Sequence, residues 1–219
     1  IQSPYLGASY SDKEIEDVFK KLNLKIPNKY SDKDVISKTV KALIDQKIIS
    51  WFQGKSEFGP RALGSRSFLA DPRKDNIRDI INSKIKKREL FRPFAPPCLV
   101  EESSNFFEIS QNSPYMNIVT NVLKEKIKVI PAVTHTDGTA RIHTVTKESN
   151  KIYYNLIKEF GEKTGVPVLL NTSFNIQEPI VYSPKDAINT FINSGVDLLV
   201  INNYICDDNW KKNLKNKIV

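Results

Sequence analysis

The chain has 219 residues, of which 40% are hydrophobic and 26% charged, and this composition excludes a disordered tail, a collagen-like fibre and a disulfide-rich scaffold. The 33 Lys and Arg residues outnumber the 25 Asp and Glu residues, so the formal net charge is +8. Such a charge favours an anionic partner, which could be a phosphate, a nucleotide, a nucleic acid or a lipid surface.

The spacing of the cysteines and histidines and the length of the apolar runs argue against several kinds of site and of protein. Cys98 and Cys206 lie far apart and form no Cys-x-x-Cys pair, which argues against a zinc ribbon or a redox motif. His135 and His143 lack the spacing of a helical metal site. No apolar run reaches the ~18 residues of a membrane helix, and no signal peptide is evident. We therefore expect a cytoplasmic protein with no membrane partner and, because the first residue is Ile1, a piece of a longer gene product.

The predicted elements alternate between helices and strands along the chain. Ser11 followed by Glu14 is typical of a capping box, and Ser183 followed by Pro184 is typical of a helix start. Short β-branched or apolar runs predict buried strands. The predicted helices are at about 12–22, 31–44, 75–84, 150–163 and from 183, and the predicted strands are at 48–52, 98–100, 141–145, 166–170 and 197–201. This alternation predicts an α/β domain, with a loop at 55–73 and a frayed, polar and basic tail at 207–219.

The segment 54–67 is the first of four clusters that could carry chemistry. It holds three glycines, one proline and the two arginines Arg61 and Arg66. Glycine lets backbone N–H groups approach a ligand, and arginine offers planar, bidentate donors to phosphate. A solvated loop whose arginines pair with carboxylates such as Glu57 and Asp71 is an equally good interpretation.

The segment 84–94 is the second cluster, with five cations in nine residues. Such a run is most often a solvated basic face, but Phe91 and Phe94 between the cations favour partial packing or stacking on bases. An extended backbone would place Lys86, Arg88 and Arg92 on one side.

The remaining clusters follow predicted strands or turns. Asp137-Gly138 predicts a tight turn. Arg141 then lies either on the surface of a hairpin or at the anion-binding site that the first two clusters would form, with His135 or Asp137 nearby. Four of the residues 171–175 are polar and follow a buried strand, where ligands bind in open α/β sheets, although a turn with local side-chain bonds is the alternative. No Ser-His-Asp or Cys-His arrangement is present to form a covalent intermediate.

In this order, the clusters resemble the C-terminal region of the carbamoyltransferases that modify nodulation factors and antibiotics. The resemblance covers about residues 4–205, and its matching stretches are 57–64 with 66–67, 69–73, 88–89, 91–96, 137–141, 167–175 and 178–181. It implies a YrdC-like twisted open sheet of mixed strands flanked by helices, with a short N-terminal helical extension. It also implies three parts: an extension or linker from an absent Kae1-like domain (1–30), the YrdC-like domain (31–206) and the tail (207–219).

The resemblance further implies a reaction. In this family carbamoyl phosphate breaks down to carbamate, which attacks the α-phosphate of ATP. Carbamoyl-adenylate forms, pyrophosphate leaves, and the carbamoyl group passes to a hydroxyl acceptor bound by the N-terminal Kae1-like domain. ATP with Mg²⁺ is the expected co-substrate, and the sequence offers no dedicated metal ligands.

The resemblance assigns roles to eight residues. The catalytic residues that would bind carbamoyl phosphate are Arg61, Lys86, Arg92 and Arg141, and the nucleotide-binding residues would be Arg88, Asn171, Ser173 and Asn175. Of these, Asn171, Ser173 and Asn175 would hold the carbamate as well as the nucleotide. Ser173-Phe174-Asn175 is also similar to the S-x-N nucleotide motif of YrdC-like proteins.

Two departures from the family pattern and two alternative functions stand beside this prediction. The glycine that usually precedes Glu178-Pro179 is absent, so the loop after Asn175 is one residue shorter, and Leu90 replaces a proline. A basic nucleic-acid-binding module fits the net charge, and a tRNA threonylcarbamoyl-adenylate synthase fits the fold. The carbamoyltransferase signatures argue against both, and so against nucleic acid as the partner.

Overall fold

The computed structural model describes residues 3–215 of the chain. The helices are α1 (Asp12–Lys21), α2 (Asp32–Ile44), α3 (Asn76–Ile80), α4 (Lys151–Thr164), α5 (Pro184–Asn193) and α6 (Asp208–Lys215). The strands are β1 (Asn28–Lys29), β2 (Ile49–Phe52), β3 (Arg66–Ala70), β4 (Pro97–Leu99), β5 (Ile118–Asn121), β6 (Thr139–Val145), β7 (Leu170–Ser173), β8 (Leu198–Ile201) and β9 (Tyr204–Cys206). A π-helical turn at 81–85 and 3₁₀ turns at 100–105 and 131–133 complete the architecture.

The strands form one mixed six-stranded sheet and a smaller three-stranded sheet. The large sheet has the order β1-β9-β8-β2-β3-β7, in which only β2 and β8 run parallel. The small sheet has the order β4-β6-β5, and bridges from Ala95 to Asn171 and from Cys98 to Val168 join it to the segment around β7. This arrangement confirms the predicted α/β fold with an open sheet of mixed strands flanked by helices.

The large sheet separates two hydrophobic cores. Phe68 and Ala70 of β3 pack in the core that includes residues of α1 and α5, whereas Leu69 packs in the core that includes α2 and α4. Neighbouring residues alternate between the two faces because successive side chains of a strand point in opposite directions. Both faces of β2 and β3 are therefore buried, which fixes the register of these central strands.

The predicted helix boundaries are confirmed where capping residues mark them. Ser11 and Glu14 form a capping box at α1, and Ser31 caps α2. Asn150 caps α4, which ends at Gly165 in the left-handed conformation with φ of 74°. These signals are local, because a cap satisfies N–H groups that the first turn of its own helix leaves unpaired.

Two predictions about strands are wrong. Residues 66–70, assigned to a loop, form β3, which lies between β2 and β7. β3 was missed because it is buried on both faces and shows no alternation of polar and apolar residues. The predicted strand at 166–170 is displaced to 170–173, so Asn171 and Ser173 lie within β7, antiparallel to β3, and do not follow a strand end.

The predicted frayed tail is also wrong for its described part. Residues 208–215 form α6, and Trp210 packs edge-on against Phe19 with ring centroids 5.7 Å apart. The Trp210 indole N–H donates to the carbonyl of Lys25 over 2.8 Å. Residues 216–219 of the predicted tail lie outside the described residues. Among residues 3–215, no helix is long and apolar enough to cross a membrane.

Candidate functional site

A small basic cleft forms where the loop before β3, the loop before β4 and strands β6 and β7 meet. Its volume is about 120 Å³, and Pro60, Ala62, Pro93, Phe94, Ala95, Met116 and Thr172 form part of its wall. The structure brings five of the eight predicted site residues into the wall of this cleft: Arg61, Arg88, Arg141, Asn171 and Ser173. A larger groove of about 520 Å³ beside α5 carries the carboxylates of Glu178 and Asp186 and no arginine. The smaller cleft is therefore the better candidate for binding an anion.

The three arginines of the cleft have no carboxylate partner in an ion pair among residues 3–215. Burial lowers the pKa of Arg141, and the positive charge of Arg61 lowers it further. Burial and the nearby Arg92 lower the pKa of Arg88, against a smaller opposing effect of Glu89. An anion in the cleft would relieve both the repulsion and the desolvation. This electrostatic arrangement makes the cleft a candidate binding site for a negatively charged group.

The loop that carries Arg61 is held by Glu57. One carboxylate oxygen of Glu57 accepts the backbone N–H groups of Leu63 and Ser65, each over 2.7 Å, and that of Arg66 over 3.2 Å. Glu57 therefore stabilises the loop backbone and does not pair with an arginine. The other carboxylate considered as a partner, Asp71, binds Arg73 at 2.6 Å. The alternative in which Arg61 pairs with these carboxylates is excluded.

The loop that carries Arg88 is held by Asn82, a residue that belongs to none of the four clusters predicted from the sequence. Asn82 is fully buried, and its amide nitrogen donates to the carbonyls of Leu90 and Arg92 over 3.1 and 2.9 Å. Its amide oxygen accepts from Arg88 Nε over 2.8 Å, and the Arg88 guanidinium lies 5.1 Å from the centre of the Phe94 ring. Asn82 thereby fixes both the loop backbone and the Arg88 side chain.

Lys86 does not line the cleft but binds Ser173, which lines it, and Asn175. Only 3% of Lys86 is exposed, and Nζ lies 2.5 Å from Ser173 O, 2.8 Å from Asn175 O and 2.7 Å from Asn175 Oδ1. Burial, with a smaller effect of Arg88, lowers its pKa to about 7, and Glu178 opposes the shift. The chain turns sharply at Lys87, where φ is 48°, so the predicted extended stretch with its three cations on one side is wrong.

Arg92 and Asn175 lie at the edge of the site. About half of the Arg92 side chain is exposed, and its Nε pairs with the equally exposed Glu89 over 2.9 Å. The Asn175 amide nitrogen donates to the carbonyl of Glu178 over 2.5 Å. The Glu178 carboxylate accepts N–H groups of its own loop and the hydroxyl of Thr190 on α5. The shortened loop is therefore closed by its own hydrogen bonds.

The turn before β6 divides the third predicted cluster. The Asp137 carboxylate accepts the N–H of Thr139 over 2.9 Å, which confirms the tight turn. His135 and Asp137 line a separate cavity of about 240 Å³, whereas Arg141 reaches the basic cleft. Among the described residues, no group of three His, Cys, Asp or Glu side chains could hold a metal ion.

Replacing Lys86 with Met is expected to change how stability depends on pH. The pKa of Lys86 falls from an ordinary 10.5 to about 7 on folding, so between these values the unfolded chain binds a proton that the folded chain does not. The free energy of unfolding should then rise with pH through this window, by at most about 1.4 kcal/mol per pH unit. Urea titrations at pH 7 and 9 should show this rise in the wild type and a smaller one in Lys86→Met.

Lys84→Met is the matched control for this experiment because Lys84 is an exposed lysine on the preceding turn. It should keep the pH dependence of the wild type. If the free energy of unfolding rose equally with pH in the wild type and in Lys86→Met, this would contradict the assignment of a lowered pKa to Lys86.

A family model and two relatives with similar sequences match most of the chain. A family model described as "Carbamoyltransferase C-terminus" matches residues 40–208. Nodulation protein NolNO of Sinorhizobium fredii is 49% identical over 78% of this chain and 26% of its own length. The 3'-hydroxymethylcephem-O-carbamoyltransferase of Streptomyces clavuligerus is 42% identical over 61% of this chain and 25% of its own length. The chain thus spans only about a quarter of each of these two relatives.

Two solved structures resemble the fold at low sequence identity. Full-length HypF in a phosphate- and nucleotide-bound form matches with a TM-score of 0.55 and 18% identity, over 77% of this chain and 25% of that one. Sua5 of P. abyssi in complex with L-threonine matches with a TM-score of 0.58 and 13% identity, over 83% of this chain and 50% of that one. These likenesses extend the fold assignment to known YrdC-like domains.

Proposed function

The chain belongs to the family of carbamoyltransferase C-terminal domains, and we propose that it binds ATP and carbamoyl phosphate and forms carbamoyl-adenylate. The observation that carries the proposal is the cleft in which Arg61, Arg88 and Arg141 face one another without a carboxylate partner in the described part of the chain. Carbamoyl phosphate and the triphosphate of ATP bring the negative charge that this arrangement lacks.

The proposed reaction needs positioned cations and no protein nucleophile. Carbamoyl phosphate and water give carbamate and phosphate. A carbamate oxygen then bonds to the α-phosphorus of ATP, the bond from that phosphorus to the bridging oxygen breaks, and pyrophosphate leaves. Charge develops on phosphate oxygens in both steps, and fixed guanidinium groups in a confined cleft stabilise it.

Each predicted residue has a place in this proposal. Arg61 and Arg141 bind the phosphate of carbamoyl phosphate, and Arg92 joins them from the rim. Lys86 adds positive charge beneath the site and positions Ser173 and Asn175. The nucleotide is held by Arg88 at its phosphates, together with Asn171, Ser173 and Asn175.

The acceptor side of the reaction lies outside these residues. Because the relatives are about four times as long as their match to this chain, we propose that a hydroxyl acceptor binds to a Kae1-like N-terminal domain of the full-length protein. In this division residues 1–30 are the connection, 31–206 the YrdC-like domain and 207–219 a C-terminal extension. Mg²⁺ enters as part of the ATP co-substrate, and the reaction takes place in the cytoplasm.

Ligand-induced stabilisation tests the proposal directly. ATP with Mg²⁺ and carbamoyl phosphate, each at millimolar concentration, are expected to raise the melting temperature of the chain. Arg141→Ala should weaken carbamoyl phosphate binding by roughly 10- to 100-fold, because charge-assisted hydrogen bonds to phosphate are lost. Arg78→Ala is the matched control, since the ion pairs of Arg78 within residues 3–215 are long, with Asp75 and Asp79 at 3.6 and 3.5 Å.

The same measurement distinguishes the alternative functions. A melting temperature that neither ligand raises would contradict the proposal. Affinity that falls steeply with salt and does not distinguish ATP from a single-stranded nucleic acid would favour a nucleic-acid-binding module.

A further inference from the structure

The N-terminal segment, residues 3–8, lies alongside the Arg61 loop, residues 54–65. The N–H of Gly7 donates to the carbonyl of Ser56 over 3.0 Å, and the N–H of Ser56 donates to the carbonyl of Ala8 over 2.9 Å. Each segment therefore provides both a donor and an acceptor to the other. Backbone groups that are buried need such partners, so the two segments are expected to stay together or to separate together.

Phe58 extends this pairing along the loop towards Arg61. Its N–H donates to the carbonyl of Pro4 over 2.7 Å. The two backbones also approach closely at Gly7, where an added Cβ would overlap Ser56. The first half of the Arg61 loop is therefore held by a segment that lies about fifty residues earlier in the chain.

Tyr5 joins the N-terminal segment to the second half of the same loop. Its hydroxyl donates to the carbonyl of Leu63 over 2.8 Å. Its ring packs in a small cluster with Leu63, Ala95 and Met116, and the last two of these line the basic cleft. Burial is the largest effect on the pKa of Tyr5 and raises it, so the hydroxyl remains a donor at neutral pH. Tyr5 thus binds the loop two residues after Arg61 and packs against the wall of the cleft.

The position of Arg61 depends on the backbone of its loop, because its side chain is exposed and forms no ion pair within residues 3–215. The two carbonyls that follow Arg61 each accept from a distant side chain. Ala62 accepts from Asn171 over 2.8 Å, and Leu63 accepts from Tyr5. A binding group that is already in place avoids the cost of ordering it when the ligand arrives. The loop contacts of Tyr5 therefore bear on how well Arg61 binds an anion.

We infer that Tyr5 is a positioning residue for Arg61 and that the N-terminal segment is a working part of the anion site as well as a connection. The inference rests on the proposed function, which assigns the phosphate of carbamoyl phosphate to Arg61. It adds a residue that belongs to none of the four clusters predicted from the sequence. Because coupling between two sites is reciprocal, a bound anion should in turn hold the N-terminal segment in place.

Tyr5→Phe removes the hydroxyl and keeps the ring. It is expected to weaken carbamoyl phosphate binding by about 2- to 10-fold, the range that corresponds to one hydrogen bond, and to leave ATP binding nearly unchanged. Calorimetric titration of the folded chain measures both affinities. Tyr204→Phe is the matched control, because the Tyr204 hydroxyl donates to Glu16 over 2.6 Å from β9, which lies at the other end of the large sheet from β7. It should lower stability and leave both affinities unchanged.

A double-mutant cycle shows whether Tyr5 acts through Arg61. In an Arg61→Ala background, Tyr5→Phe should no longer weaken carbamoyl phosphate binding, because the group that it positions is gone. A role in stability alone would give the same loss with and without the Arg61 side chain, and that result would overturn the inference. Gly7→Ala, which pushes the N-terminal segment away from Ser56, should weaken carbamoyl phosphate binding in the same direction as Tyr5→Phe.

Hydrogen exchange of the wild type gives a reading that needs no variant. Carbamoyl phosphate at saturation is expected to slow exchange of the Gly7, Ser56 and Phe58 amides by about 5-fold or more, because these amides cross between the N-terminal segment and the loop. The Tyr30 amide donates to Asn203 over 2.8 Å beside β1 and should keep its rate.

The outcomes separate this inference from the proposed function. If the wild type binds neither carbamoyl phosphate nor ATP, the proposed function fails and the inference fails with it. If the wild type binds carbamoyl phosphate and Tyr5→Phe binds it equally tightly, the inference alone fails. Unchanged exchange of the Gly7 amide in the presence of bound carbamoyl phosphate would also overturn the inference and leave the proposed function intact.

Discussion

Arg66→Met is expected to lower the free energy of unfolding by about 3–5 kcal/mol, because it leaves four carbonyl oxygens, two in buried and two in partly buried hydrogen bonds, without their donor. Arg66 is 1% exposed. One terminal nitrogen donates to Gln53 O and Ser65 O over 2.9 and 3.1 Å, and the other donates to Ala8 O and Gly54 O, each over 3.1 Å. The four acceptors belong to the backbone, so no second substitution can remove them.

This geometry explains why a hydrophobic residue cannot replace Arg66. Replacing a buried ion pair with apolar side chains is often neutral because both charged partners leave together. Here only the donor leaves, and the Met side chain also loses the cation–π contact with Phe52, where the guanidinium carbon lies 3.6 Å from the ring centre. Arg66 holds its charge at a cost, since burial lowers its pKa to about 10 against the opposing effect of Glu57.

Urea denaturation followed by tryptophan fluorescence measures the effect of Arg66→Met. Arg66→Lys should fall between the wild type and Arg66→Met, because an ammonium has three donors and cannot span four carbonyls. Arg78→Met is the matched control and should change the free energy of unfolding by less than about 1 kcal/mol, because its ion pairs are long, at 3.6 and 3.5 Å, and their aspartates are exposed. If Arg66→Met lowered the free energy of unfolding by as little as Arg78→Met does, this would contradict the proposed role of the Arg66 hydrogen bonds.

The elements that could be predicted from the sequence are those whose causes are local. Ser11, Ser31 and Asn150 mark helix starts because each bonds to N–H groups of its own first turn. β3 could not be predicted because both of its faces are buried in cores that distant segments build, with α1 and α5 on one side and α2 and α4 on the other. Trp210 was placed in a tail because a single aromatic residue among lysines gives no sign of the core that receives it.

The sequence predicted which residues belong to the site better than it predicted where each of them lies. The motifs located Arg61, Arg88 and Arg141, which the structure brings to one cleft. The burial of Lys86 depends on a π-helical turn and on the left-handed backbone at Lys87, and neither has a periodic sequence signal.

The residues that shape the site were harder to recognise than those that line it. Glu57 and Asn82 act through backbone N–H and carbonyl groups. A backbone partner leaves no trace in the sequence, since every residue type provides it. Residues that position a loop therefore have to be found from the structure.

Gly64→Ala is expected to be as damaging as the loss of Arg66, and for a different reason. Gly64 has φ of 92°, and an added Cβ would overlap the ring of Tyr153, which is fully buried. Neither partner can move easily. The carbonyl of Gly64 accepts from the Trp51 indole over 3.0 Å, and its N–H donates to Ser67 Oγ over 3.1 Å. Strain and overlap together should lower the free energy of unfolding by about 3 kcal/mol or more.

Gly54→Ala separates the two contributions, because Gly54 also has a positive φ, of 51°, but no atom lies within 4 Å of an added Cβ. It should cost only about 1 kcal/mol, the usual penalty for a left-handed non-glycine residue. In a Tyr153→Ala background the overlap is gone, so Gly64→Ala should then cost little more than Gly54→Ala does. If Gly64→Ala lowered the free energy of unfolding as much in the Tyr153→Ala background as in the wild type, backbone strain alone would account for its destabilisation. Because Gly64 follows Arg61 on the same loop, the overlap should also weaken carbamoyl phosphate binding under conditions where the variant is still folded.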